Sequence, residues 1–284
     1  VSAPLYPSRA EAARRGAELA ALVADGGYVA PSGARVDLAA ALAAARAGTV
    51  SYPPERAVPP PTSRADRTTF TVANESTLAA ARRLHVAGLR PAALNFASAR
   101  HPGGGWLSGA RAQEESLATA SALVTCIERD PMYAHHLAHR DTLYTSWAIY
   151  APDVPVVRGD DGALLEAPWP LAFLTCPAPN AAVVLRRAPG RRAEVEAALA
   201  ERIDRILAIA AAHGHDALVL GAWGCGVFGN DPAVVAALFA AALDGPHAGR
   251  FRQVTFAVLD SSPERRFIGP FEARFAGVSR AGRG

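Results

Sequence analysis

The chain has 284 residues, of which 50% are hydrophobic and 19% charged, so apolar material for a buried core is ample. A net charge of +3, with no Lys/Arg block interleaved with aromatics, gives no electrostatic case for specific nucleic-acid binding. Three scattered cysteines, Cys126, Cys176 and Cys225, make neither a disulfide framework nor a zinc pattern, and no apolar run is long enough to span a bilayer. The start, VSAPLYPSRAEAARRG, lacks a basic-then-apolar signal layout, so a soluble, monomeric, cytoplasmic protein without membrane attachment is expected.

Helices and strands then alternate along the chain. Residues 8–27 predict a helix, with Ser8 and Glu11 at capping-box spacing and glycines at its end. Asp37 caps a second, alanine-rich helix that runs to about Arg46. The proline-rich run 51–66 predicts a surface connection without regular structure. TTFTVA (68–73) alternates like a strand, and Asn74 or Ser76 caps a helix to about Val86. PAALNFAS (91–98) is an apolar strand that leads into HPGGGWLSGARAQEESL (101–117), and residues 113–129 have helical spacing. LYTSWAIY, VPVVRG and PLAFLTCPA read as three strands, Glu194 to His213 as a long helix, and DALVLGAWG (216–224) as a buried strand. Asp231 to Leu243 is a helix and RQVTFAVLD (252–260) a last strand. The pattern predicts a three-layer α/β/α domain with a mixed sheet. It is one domain over 1–284: a helical extension and connection (1–66), a core (67–262) and a tail (263–284).

Two glycine loops hold the chemistry. In the first, Gly103, Gly104 and Gly105 follow a buried strand and precede Gln113, Glu114 and Glu115. Adjacent helical residues point about 100° apart, so the two acids cannot flank a bond like the carboxylates of an ordinary glycosidase. One acid is expected to do chemistry and the other to hold substrate. In the second, Gly224, Gly226 and Gly229 spell G-x-G-x-x-G between a strand and a helix, with Asp260 at the end of the next strand. A dinucleotide-binding domain needs further strands after that fingerprint, and only one follows. Phosphate binding on backbone N–H groups is retained and nicotinamide chemistry is discarded, so no cofactor is expected. His135, His136 and His139 lack acids at matching spacing and read as structural; Cys225 reads as a small buried filler. No metal site is expected.

G-G-G followed seven residues later by Q-E-E, together with GCGVFGN in the second loop, resembles the signature of poly(ADP-ribose) glycohydrolases on a macrodomain fold. NFASARHPGGG, PDVPVVR and TCPAPN are similar to the bacterial branch, and the resemblance covers about residues 85–262. It implies hydrolysis of ribose–ribose bonds in poly(ADP-ribose), with ADP-ribose and poly(ADP-ribosyl)ated proteins as partners. Glu115 would protonate the leaving ribose oxygen and then take a proton from water, and a neighbouring carboxylate and partial burial would raise a general acid's pKa. Glu114 would bind ribose hydroxyls and Gln113 support the loop. Gly224, Gly226, Val227, Phe228 and Gly229 would wrap the diphosphate. Ser98 stands close to a sugar-contacting asparagine of the animal enzymes, a departure from their pattern. An ADP-ribose-binding macrodomain, or a hydrolase of other ADP-ribose conjugates, stays open as an alternative.

Overall fold

The computed structural model describes residues 7–61, 65–277 and 279–281, the last three by their backbone alone. The first six residues of the start and positions 62–64 of the proline-rich connection lie outside them. Helix α1 (Arg9–Ala24) opens on Ser8, whose hydroxyl accepts the Glu11 N–H. A small hairpin, β1 (Gly27–Val29) and β2 (Arg35–Asp37), follows, then α2 (Ala39–Gly48) and β3 (Val50–Tyr52). β4 (Arg67–Ala73) leads to α3 (Thr77–Val86), and Ser76 rather than Asn74 caps that helix. β5 (Pro91–Phe96), α4 (Gln113–Ala120), α5 (Leu123–Ile127) and α6 (Pro131–Ala138) come next. β6 (Ala148–Arg158), β7 (Leu164–Cys176), α7 (Ala181–Arg187), α8 (Arg192–Ala212) and β8 (Ala217–Leu220) lead to α9 (Pro232–Asp244), β9 (Gln253–Ala257), α10 (Gly269–Phe275) and β10 (Ser279–Ala281).

Among the described residues, eight strands form one mixed sheet in the order β10-β4-β9-β8-β5-β7-β6-β3. The inner run β4-β9-β8-β5-β7 is parallel, while β6, β3 and β10 pair antiparallel at the two sides. Alternate residues of β5 face opposite cores, as the two-residue strand period requires. Ala92 and Leu94 pack with Ile203, Ile206, Phe239 and Phe271, from α8, α9 and α10. Ala93 packs on the other face with Leu19, Leu42, Ala80 and Leu117, from α1 to α4. The expected three-layer architecture is borne out.

Several elements depart from expectation. The helix over 113–129 breaks at Ser121, which is extended (φ −141°, ψ 163°) and bridges to Val156 of β6. The two strands expected within 143–159 are one strand, β6, interrupted by a bulge between Ala151 and Val154. There Asp153 holds φ 47°, an αL conformation suited to a bulge. The connection at 51–66 is not wholly irregular, because β3 adds an edge strand to β6. The tail supplies α10, whose Phe271 and Phe275 are buried in the core, and the edge strand β10.

This topology places the site. β8, β5 and β7 are neighbouring parallel strands, so the loops leaving their C-terminal ends converge, which is where open α/β sheets bind ligands. Those loops are 221–231, 97–112 and 177–180.

Candidate active site

β5 ends at Phe96, and the chain turns through the first glycine loop into α4. Acids in a first helical turn favour the positive end of the dipole, so local physics already tolerates Glu114 and Glu115 there. Their surroundings go further. Glu114 is 4% exposed. Its Oε2 accepts the Ser98 N–H at 2.6 Å, and its Oε1 accepts from Gly103 N at 3.2 Å and Asn95 Nδ2 at 3.4 Å. Burial is the largest influence on this carboxyl and pushes it up to about 8, and the Glu115 charge adds to the rise. The hydrogen bonds from Ser98, Asn95 and Gly103 pull the other way without cancelling it.

Glu115, 8% exposed, takes an N–H on each oxygen: Gly105 on Oε1 at 2.9 Å and Ala112 on Oε2 at 3.0 Å. The second is half of a capping box, the helix's own N3 acid reaching back to its N-cap. Gly104 lies over both acids. A β-carbon on Gly104 would stand 2.2 Å from Glu115 Oε1 and 3.1 Å from Glu114 Oε2, and its φ is 61°. The glycines therefore let backbone crowd the carboxylates themselves. Divergent Cβ vectors do not keep the two carboxylates apart either, because both reach the same residue.

Gln113 braces this arrangement. Its Oε1 accepts the Phe96 N–H, and its Nε2 donates to Leu94 O and Thr77 Oγ1, joining β5, α4 and α3. Ser98 works inward as well: its N–H goes to Glu114, and its Oγ accepts from Arg100 N and His101 N. On the outside, α1 presses on the loop so closely that a β-carbon on Gly16 would lie 2.6 Å from the Trp106 carbonyl.

The second loop is held at its ends and open in its middle. Asn230 is buried, and its Nδ2 donates to Pro179 O at 2.9 Å and Gly224 O at 3.1 Å. Asp231 is the cap of α9, with Pro232 in the first turn. Gly226 has no atom within 4 Å of a built β-carbon, and Val227 is 90% exposed. The N–H groups of Gly226, Val227 and Phe228 donate to no acceptor among the described residues. Such a turn is a nest for an anion. Phe228 is half-buried, packs on the core and stands 6.2 Å from the Tyr144 ring.

Both loops wall one cleft of about 680 Å³. Gln113, Glu115, Gly224, Gly226, Val227 and Phe228 line it; Glu114, Ser98, Gly103, Gly104, Gly105 and Gly229 do not. Its far end is formed by Leu78, Ala79, Val258, Leu259 and Phe267. Asp260, the candidate ribose acid of the discarded dinucleotide reading, is turned inward: its carboxylate accepts from Ser262, Phe267 and Ile268. Desolvation works to raise it, but those hydrogen bonds outweigh burial and hold it at about 2. No group of three or more His, Cys, Asp or Glu suited to a metal exists among the described residues.

Comparison with known proteins identifies the family. The family described as microbial-type PARG, catalytic domain, matches residues 17–159. Poly(ADP-ribose) glycohydrolase from Thermomonospora curvata is 46% identical, with a TM-score of 0.86, over 94% of this chain and 100% of that one. The chain belongs to the microbial-type PARG family. The same Thermomonospora enzyme bound to the inhibitor ADP-HPD superposes with a TM-score of 0.85 at 46% identity, over 94% of this chain and 100% of that chain. The Deinococcus radiodurans enzyme in complex with ADP-ribose is 44% identical, with a TM-score of 0.78, over 84% of this chain and 98% of that one. A search of curated proteins gives no match. The resemblance drawn from the two glycine loops is thus borne out, and with it a PARG-type glycosidase.

Asn95, Thr175 and Arg202, beside the site, escaped the sequence reading. Asn95 and Thr175 are both fully buried and bonded to each other on neighbouring strands under the acids. Arg202 is 1% exposed on α8; it donates to Pro177 O at 3.2 Å and to Leu143 O, tying together the loops beside the second glycine loop. Polar residues inside apolar runs were the available signal. His136 is buried, burial pushes it down to about 4, and it bonds to Thr145; His135 stacks on His139 at 4.1 Å. Burial pushes Cys225 up to about 12, as suits a filler.

Proposed function

We propose that the chain hydrolyses the ribose–ribose O-glycosidic bond of poly(ADP-ribose) with Glu115 as general acid and then general base. The observation that carries this is that Glu115, alone of the two acids, faces the cleft. Substrate lies with its diphosphate on the free N–H groups of residues 226–228 and its base against the apolar end at Leu78, Val258 and Phe267. The glycosidic C–O bond then breaks as Glu115 hands its proton to the leaving ribose oxygen, leaving oxocarbenium character on the sugar. Water adds to the anomeric carbon and gives its proton to the Glu115 carboxylate. Gly105 and Ala112 fix that carboxyl in place through both stages.

Glu114 fits a role in holding the loop, since its oxygens engage Ser98, Gly103 and Asn95 and it does not line the cleft. Ser98 and Gln113 serve the same frame. The test is incubation with poly(ADP-ribose) of defined length, with products resolved by size. Accumulation of ADP-ribose is expected; binding without products would leave a reader of ADP-ribose instead.

A further inference from the structure

The segment after α6 folds back beside the catalytic loop and carries Tyr144. Its φ is 58°, a conformation in which a bulky residue is an outlier and which tends to mark functional sites. The ring is set by its neighbours. His136 meets it edge-on at 5.5 Å, the Arg100 guanidinium lies 5.7 Å from its centroid, and Phe228 stands beyond at 6.2 Å. Arg100 is anchored in turn by its Nε donating to the His136 carbonyl at 3.0 Å.

Arg100, Tyr144 and Phe228 thus form a half-buried row. Phe228 is on the cleft wall, whereas Arg100 and Tyr144 lie outside it. The row starts next to the acids. His101, adjacent to Arg100, accepts the Gly104 N–H through its carbonyl, and Gly104 abuts Glu115.

A polymer with one ADP-ribose unit in the cleft and its bond at Glu115 has its next unit outside the cleft, and Arg100 and Tyr144 of this row lie outside the cleft beside the catalytic loop. That unit presents a purine and a diphosphate. An aromatic face stacks a base, and a guanidinium matches phosphate oxygens. We propose that Arg100 and Tyr144 form a subsite for the adjacent, departing ADP-ribose unit, so that the enzyme favours a polymeric leaving group over a small one. The proposal rests on the hydrolytic reading above and deepens it.

The test compares two substrates: poly(ADP-ribose) of defined length and an aryl glycoside of ADP-ribose with a small leaving group. Tyr144→Asn keeps a residue that tolerates the left-handed backbone, Tyr144→Phe keeps the ring, and Arg100→Gln provides a second route should the asparagine variant fail to fold. For Tyr144→Asn and Arg100→Gln, kcat/KM on polymer is expected to fall about tenfold, a step of about 1.4 kcal/mol. The aryl substrate should change less than about twofold by the same measure, and Tyr144→Phe should resemble wild type. Equal loss on both substrates, or no loss on polymer in folded variants, overturns the subsite. Failure of the wild-type chain to cleave polymer at all would overturn the hydrolytic reading itself.

Discussion

Replacing Gly104 by alanine puts the central geometry under direct stress. The added β-carbon would sit 2.2 Å from Glu115 Oε1 and 3.0 Å from its carboxyl carbon. Ordinary contact begins near 3.4 Å, so the carboxylate or the loop must move by roughly 1 Å, a displacement that can cost about 10²-fold in rate. The residue must also hold φ 61°, which costs an L side chain roughly 1–2 kcal/mol. The second loop is untouched. Gly104→Ala is therefore expected to lower kcat on poly(ADP-ribose) by about a hundredfold, lower the melting temperature by a few degrees, and leave ADP-ribose affinity within about threefold. Calorimetric titration with ADP-ribose beside steady-state kinetics separates the terms. A folded Gly104→Ala with near-normal kcat would refute the reasoning, and so would one that keeps kcat and loses affinity, because the glycine would then serve the ligand and not the acids.

Glu114 is raised from 4.5 to about 8 in the folded state. The native protein therefore holds a proton that the unfolded chain releases between those values. This contribution is complete below about pH 4.5 and is lost as pH rises to about 8, on the order of 5 kcal/mol at most. Glu114→Gln should flatten that part of the stability–pH curve measured by urea unfolding, and an unchanged slope would place the titration elsewhere. Gly226→Val has open space around its β-carbon and no positive φ, so the melting temperature should hold. ADP-ribose affinity should fall about tenfold or more if the loop wraps the diphosphate. Unchanged affinity would remove the loop from the ligand.

Much of this site could be read in the chain because its chemistry is local in sequence. The glycines, Gln113 and the acid pair fall within thirteen consecutive residues, and Gly224 to Gly229 fall within six, so spacing alone preserves both patterns. What escaped depends on distant partners. Asn95 matters through Thr175 and Glu114, and Arg202 through Leu143 and Pro177, pairings that strand order creates and no local window contains. The break at Ser121 is likewise tertiary: helical spacing continues past it, but the bridge to Val156 holds its backbone extended. β3 was hidden by the prolines that follow it, although its pairing with β6 needs only three residues. Nor does the sequence show what each glycine faces. In the folded protein, Gly104 faces the carboxylates while Gly226 faces open space.

The most direct test of the account is turnover and binding by Glu115→Gln. The substitution nearly keeps the volume of a side chain held by Gly105 and Ala112 and removes the transferable proton. Release of ADP-ribose from poly(ADP-ribose) should fall by about 10²–10⁴-fold or more. ADP-ribose should still bind within about tenfold of wild type, a loss of no more than about 1.4 kcal/mol. A variant that turns over polymer at a near-normal rate would contradict the assignment and move the proton transfer to another group in the cleft.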